Sequence, residues 1–276
     1  MEDPVKAHYG SDRLETRLFQ ALETAGKDTD SLGLKDLAPV DQLHTGGMNA
    51  TVALVEQAGL KPGATVLDAG CGIGGSSRLM AGQFEFTVTG VDLSDRFIQV
   101  AKRLTGRQLL PDRLGFRSGS VLDLPFEKER FDAVLCQHVL MNVRDKNTSI
   151  KEFSRVLRAG GKLIFHEIVK GGRTPILYPV PWAEKSHISF VEPWDTLRPL
   201  LKTHGFKTEY YSDGTQKAAE WWNRVKQAVE KRDLLKRVLG PHLIFGENAA
   251  LFGKTMCHNL EKDRIRVVEA VFIKRG

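Results

Sequence analysis

The chain has 276 residues, 41% of them apolar, enough to bury one core or one core with a cap. Cys71, Cys136 and Cys257 are too few and too scattered for a disulfide frame or a metal cluster, so no metal is expected and a reducing, cytoplasmic setting fits. No apolar run approaches the ~20 residues of a membrane span, the acidic start Met1-Glu2-Asp3 does not read as a secretory leader, and the net charge of +6 is concentrated in the last third of the chain.

Residues 1–45 are expected to form a helical lid. Leu14, Leu18 and Leu22, with Phe19, fall on one side of a helix, and a second short segment leads into His44-Thr45-Gly46-Gly47. Such a segment, placed just before a ligand-binding turn, can fold over the ligand and exclude water. Tyr9 and His44 are the polar aromatics available there. A helix from about Met48 to Gln57 ends at Gly59, and Lys61-Pro62-Gly63 turns the chain into a strand.

That strand, Thr65-Val66-Leu67-Asp68-Ala69, runs into Gly70-Cys71-Gly72-Ile73-Gly74-Gly75 and a helix beginning near Ser76. Glycines let the chain reverse with positive φ and let the backbone touch a ligand. Gly70, Gly72 and Gly75 also satisfy the Gly-x-Gly-x-x-Gly spacing of a dinucleotide site. The discriminating residue is Asp68, just before the first glycine, where an anion would repel a pyrophosphate. It suits a ligand with an ammonium group and no phosphate, and S-adenosylmethionine (SAM) is such a ligand. We therefore expect Asp68, Gly70, Gly72 and Gly74 to contact SAM.

The second strand, Phe86 to Asp92, ends in an acid 22 residues beyond Gly70, where an α/β nucleotide site holds both ribose hydroxyls. Ser94 already offers a cap to the next helix, Asp95 to about Thr105, which leaves Asp92 for the ribose and Leu93 beside it. A third strand, Leu114 to Arg117, leads to Ser120 and Val121, candidates for the adenine amino group and ring face. A fourth, Phe131 to Cys136, ends in Gln137-His138, with Asn142 close behind. A helix through Glu152 and Leu157 ends at Ala159-Gly160-Gly161, and a fifth strand, Lys162 to Ile168, carries His166 and Glu167. Strands and helices alternate at short intervals, so the sheet is expected to be parallel with helices on both faces and the ligand at the strands' carboxyl ends.

Leu67 to Gly75, Gly90-Val91-Asp92, Leu124-Pro125-Phe126, Phe131-Asp132 and Arg155 to Gly161 together resemble a class I SAM-dependent methyltransferase, from about Gly46 to Ile168. Within that superfamily the chain is most similar to the small-molecule quinone and sarcosine/dimethylglycine methyltransferases. It departs from their pattern at Ser120, where Asp is common, and at Asn142, where His is common. The resemblance implies an α/β, Rossmann-like seven-stranded sheet, parallel except for a last strand lying antiparallel between the fifth and sixth. Residues 46–168 would be the SAM-binding core. Residues 169–276 would hold a substrate loop, the last strands and a helical cap at about 213–262, because some fifty mostly helical residues stand where a short turn would serve.

The loop after the fifth strand, through Pro175, Tyr178, Pro179, Pro181 and Trp182, is too proline-rich for regular structure and faces the methyl donor. Tyr178, Trp182, Trp221 and Trp222 could surround a cationic amine or stack on a phenol or quinol. Asn142, Glu167, Tyr178 and Trp182 are the expected substrate contacts. Methyl transfer is an in-line displacement, and a base is needed only for a protonated nucleophile. His138 is the first candidate and His166 the second, while Gln137 is placed for the donor's methionine portion. The acceptor is expected to be a small molecule, bound by a monomer or homodimer.

Three alternatives stay open. The glycine spacing also allows an NAD-dependent oxidoreductase. From Arg198 onward sixteen Lys/Arg stand against nine Asp/Glu, which allows an RNA methyltransferase. However, Lys226, Lys231, Arg232, Lys236 and Arg237 are interleaved with acids at helical spacing, as on a solvated face, so no nucleic-acid partner is expected. The third alternative is a non-catalytic SAM-binding protein.

Overall fold

The strand β1 (Thr65–Ala69) is the axis of the architecture, buried on both faces because Val66, Leu67 and Ala69 have no solvent side. The structure is a computed structural model that describes residues 13–108, 112–231 and 238–276. Tyr9 lies outside the described residues, as do Arg232, Lys236 and Arg237 of the basic stretch. Two helices, α1 (Leu14–Thr24) and α2 (Leu34–Asp41), precede α3 (Gly47–Ala58), which Gly59 closes in a left-handed conformation. After β1 come α4 (Gly75–Gln83), β2 (Thr87–Asp92), α5 (Asp95–Thr105), β3 (Leu114–Ser118), β4 (Phe131–Gln137), α6 (Lys146–Val156) and β5 (Leu157–Lys170). Then follow α7 (Trp194–Thr203), β6 (Phe206–Asp213), α8 (Thr215–Glu230), α9 (His242–Phe245), α10 (Ala249–Glu261) and β7 (Ile265–Lys274).

The seven strands run β3-β2-β1-β4-β5-β7-β6. β1 pairs in parallel with β2 on one side and β4 on the other, and β7 is antiparallel between β5 and β6, as the resemblance implies. The order reverses at β1 and β4, so the loops leaving their carboxyl ends part there and open a crevice. No helix among the described residues is long and apolar enough to cross a membrane.

Two boundaries differ from the sequence expectation. α6 stops at Val156, and β5 begins at once: Leu157 pairs with Phe131, and pairing resumes at Lys162 with Ala133. The Ala159-Gly160-Gly161 turn is thus an excursion inside an extended segment, with Gly160 at φ +74°. β3 ends at Ser118, two residues before Ser120.

The lid helices pack where their periodicity directs them. Leu14, Leu18 and Leu22 are buried with Leu37 and Val40 against Phe97, Val100 and Leu104 of α5, and with Leu239 and Ile244 from the C-terminal helical region. α8 and α10 cross closely because Gly253 has no side chain: a Cβ there would lie 2.8 Å from the Lys226 Cα. Their apolar faces bury Trp222, Phe252 and Met256 with Met141, Ile168 and Trp182. The indole Nε1 of Trp222 donates to Thr45 Oγ1 at 3.1 Å, tying the C-terminal helices to the lid.

Candidate functional site

β1 and β2 carry Asp68 and Asp92 to neighbouring points on the carboxyl edge of the sheet, and the glycine turn winds between them. Gly72 takes φ +54°, and a Cβ built there would meet nothing within 4 Å, so the space beside it is open to a ligand. Its N–H donates to Asp92 Oδ2 at 2.9 Å, while Ser94 N–H donates to Asp92 Oδ1 at 2.8 Å. Ser94 Oγ caps α5 by accepting from Phe97 N, so Asp92 is not the cap. Each Asp92 oxygen keeps a lone pair for a further donor.

Asp68 is buried, and its Oδ2 accepts the Ser77 hydroxyl at 2.5 Å. Burial pushes its carboxyl up to about 6 against that hydrogen bond, and the Asp92 charge adds to the rise. Burial also raises Asp92, against the N–H groups of Ser94 and Gly72. Two neighbouring carboxylates, one buried and one half-buried, with no cationic side chain among the described residues hydrogen-bonded to either, favour a cationic ligand and disfavour a pyrophosphate.

The cavity they face has a volume of about 290 Å³. Asp68, Gly70, Gly72, Asp92 and Leu93 are among the residues that line it, as are Val121, Gln137, His138, Asn142 and Trp182. The structure does not bring the other expected residues to its wall. Gly74 is left-handed (φ +86°), but a Cβ there would strike the Phe116 ring, so its glycine serves packing. Ser120 Oγ accepts from Leu122 N at 3.0 Å, closing a local turn that presents Gly119 and Leu122 to the cavity instead. Tyr178 packs with the apolar cluster under the C-terminal helices, and Trp221 and Trp222 line a second cavity. The four aromatics therefore do not form one cage.

His166 and Glu167 lie behind the wall. Glu167 is fully buried, and its Oε1 accepts from the N–H groups of Val139 (2.7 Å) and Leu140 (2.9 Å) and from Cys136 Sγ (3.3 Å). Burial pushes it up to about 7. By gripping those two amides it holds the turn in which His138 adopts φ +55°, an unusual conformation for a non-glycine residue. It is a brace for His138 rather than a substrate contact. Asn142 reaches the cavity, but its Nδ2 donates to Trp182 O (2.7 Å) and Ile188 O (3.3 Å), anchoring the proline-rich loop.

His44 joins His138 and His166 in a triangle with ring centroids 4.8 Å (138 to 166), 6.1 Å (44 to 138) and 6.1 Å (44 to 166) apart. Burial lowers all three, His44 to about 4, His166 to about 3 and His138 well below the usual range, so each is neutral at pH 7. Neighbouring hydrogen bonds fix two of the tautomers. His44 Nε2 lies 2.9 Å from the Gly47 carbonyl and must carry a proton, which Thr51 Oγ1, also 2.9 Å away, shares as acceptor. Thr51 then donates to Gln137 Oε1 (3.1 Å), as does Ser76 (2.9 Å), and Gln137 Nε2 donates to His166 Nδ1 (3.0 Å). His138 Nε2 has no partner. The Gln137 side chain, expected to sit by the donor, is thus also the junction of this network.

Sequence reasoning named His44 without a role and missed the ion pair that seats the lid. Arg78 of α4 lies 2.9 Å from Asp41 at the end of α2, and a Cβ on Gly75 would come within 2.3 Å of the Asp41 carbonyl. In sequence these charges look like surface residues; only the tertiary approach buries them.

Residues 67–165 match the family model described as a methyltransferase domain. Phosphoethanolamine N-methyltransferase 1 of Arabidopsis thaliana is 33% identical over 195 residues, covering 68% of this chain and 38% of that one. Sarcosine/dimethylglycine N-methyltransferase of Halorhodospira halochloris is 25% identical over 233 residues, covering 84% and 82%. Among solved structures, phosphoethanolamine N-methyltransferase 2 of Haemonchus contortus, bound to phosphomonomethylethanolamine and S-adenosylhomocysteine, superposes with a TM-score of 0.75 at 21% identity, over 99% of this chain and 61% of that one. The chain spans about half or less of the length of several curated relatives it matches. Its core is a methyltransferase domain, carried on the Rossmann-like sheet of the class I SAM-dependent methyltransferases.

Proposed function

We propose that the protein transfers a methyl group from SAM to a small-molecule acceptor bearing an amine or a phenol-type hydroxyl. The observation that carries this is the pair of carboxylates, Asp68 buried and Asp92 half-buried, facing one cavity across a glycine turn, where a cation is favoured and a pyrophosphate repelled. The relatives named above are N-methyltransferases, which supports the same class of reaction.

In this assignment Asp92 accepts from the ribose hydroxyls, and Leu93 and Val121 pack on the adenine. Asp68, Gly70, Gly72 and Gln137 surround the methionine portion. Gly74 and Ser120 support the two turns from outside the cavity. When bound, SAM supplies a methyl group made electrophilic by its sulfonium. The chain's own part is to align the acceptor, an effect worth on the order of 7–11 kcal/mol, and to exclude water with the lid (1–45) and the cap (about 213–262). We assign His138 as the base because it borders the cavity, is neutral, and has in its enclosed Nε2 a ring nitrogen with no hydrogen-bond partner competing for the proton that a phenol or ammonium must lose. His166 and Glu167 position it from behind, Asn142 and Trp182 shape the acceptor side, and Tyr178 stabilises the loop.

We place this activity in the cytoplasm, in a monomer or homodimer; the three cysteines are free and buried, as a reducing compartment leaves them. A methyl-transfer assay with labelled SAM over amines, phenols, quinols and thiols tests the proposal. Transfer to one class establishes it. Binding of NAD in place of SAM, or transfer only to RNA with a steep salt dependence, overturns it.

A further inference from the structure

A second cavity of about 370 Å³ lies beside the first, between the lid and the C-terminal helices. Leu43, Pro181 and Phe245 border both, so the two chambers share a wall made of three apolar side chains. No Asp, Glu, Lys or Arg is among the described residues lining the second chamber, whereas Asp41, Asp68, Asp92, Arg144 and Asp145 line the first. The second is faced by Trp221 and Trp222, packed edge to face with centroids 4.7 Å apart, and by Val225, Val229 and Phe252.

The first chamber offers an anionic acceptor little. Among the described residues lining it, the Arg144 guanidinium sits 4.7 Å over the Phe190 ring and faces the carboxylates of Asp68, Asp92 and Asp145, Asp41 being paired with Arg78. A phosphate or carboxylate on the acceptor would enter against a net negative wall. Neutral hydrocarbon meets no such cost, and the uncharged, indole-lined space next door rewards its burial.

Resting on the methyl-transfer assignment, we propose that the second chamber receives the tail of the acceptor, a molecule without anionic groups that joins a small nucleophilic head to a substantial hydrocarbon portion. The head lies in the first chamber near His138, and the tail passes between Leu43, Pro181 and Phe245. The acceptor is therefore larger and less polar than a short amino acid or a phosphorylated amine.

The test uses 4-alkylphenols, from methyl to octyl, titrated calorimetrically into the 276-residue chain with and without S-adenosylhomocysteine. Affinity should rise about three- to fourfold per added methylene, the fold-change for roughly 0.8 kcal/mol per buried CH2, until the chamber is full. Val225→Trp, which fills the chamber from α8, should end the rise at a shorter chain while S-adenosylhomocysteine affinity stays unchanged. Ala250→Leu makes the same test from α10 if the first variant does not fold. An affinity independent of chain length, or a rise that neither variant shortens, overturns the proposal. Failure of S-adenosylhomocysteine to bind would instead count against the donor assignment, and the chain-length series alone would still decide the chamber.

Discussion

Arg78 Nη2 lies 2.9 Å from Asp41 Oδ2 with both side chains buried, so the end of the lid is fastened by charge to the first helix after the glycine turn. The same guanidinium donates to the Ile73 carbonyl at 2.7 Å, inside that turn. Burial outweighs the Arg78 attraction at Asp41 and raises its carboxyl, which marks a pair whose desolvation is incompletely repaid. Asp41→Ala leaves the guanidinium buried with no counter-charge and only neutral acceptors, and should cost about 3–5 kcal/mol. The double variant Asp41→Leu, Arg78→Met should be clearly less damaging than the single one. Urea unfolding of the three proteins checks this, and a double variant at least as unstable as Asp41→Ala would contradict it.

Asp92→Asn should weaken donor binding about 10- to 100-fold, because hydrogen bonds to a charged acceptor are each worth roughly 1.5–3 kcal/mol. The amide keeps only one acceptor oxygen for the Gly72 and Ser94 N–H groups and the ribose together. Asp68 adds a pH dependence. Its carboxyl titrates near 6 in the free protein, and a cationic ligand favours the ionised form. Binding below that pH must first expel a proton, so the Kd should rise toward tenfold per unit as the pH falls through about 6. Calorimetry from pH 5 to 8 reads this; an affinity flat across that range would remove Asp68 from the donor's cation.

His138→Gln should lower kcat on the order of 10²- to 10⁴-fold for a phenol, which must give up a proton, and far less for a tertiary arylamine, which is already unprotonated at neutral pH and has none to give. The comparison separates base catalysis from positioning. Equal losses on both acceptors would make His138 a spacer.

His166 and Glu167 oppose one another in the pH dependence of stability. His166 titrates near 3 when folded and near 6.5 when unfolded, so the unfolded chain binds more protons between those values, and stability falls with falling pH at about 1.4 kcal/mol per unit. Glu167 titrates near 7 when folded and near 4.5 when unfolded, so its effect runs the other way: stability is lost as pH rises from about 4.5 to 7. Between about 4.5 and 6.5 the two cancel. His166→Gln, whose amide oxygen can still accept from Gln137, should make the stability slope in that window more negative by about 1.4 kcal/mol per unit. Denaturation midpoints at pH 4.5, 5.5 and 6.5 measure it.

The sheet was legible because period and punctuation coincide: buried runs end in glycine turns, and Asp68 and Asp92 stand at the strand ends where a ligand must lie. Gly74 and Ser120 were misplaced because spacing alone cannot tell a glycine that frees a ligand's path from one that admits a phenylalanine, nor a free hydroxyl from one spent on its own turn. His166 and Glu167 follow the strand pattern, but only the packed structure shows that both side chains are enclosed. Tyr178 sits on a proline-rich loop, where no periodicity fixes direction, Trp221 and Trp222 sit on a helix whose period gives its apolar face but not what that face meets, and Phe245 belongs to a helix of four residues with no sequence signature.

Thr45 and Trp222 are 177 residues apart in the chain, yet one hydrogen bond latches them. The Asp41 ion pair and this hydrogen bond thus hold the last residues of the lid from two sides, to α4 and to α8. Drawing α8 back from the cavity wall would therefore also break a bond to the segment that leads into α3.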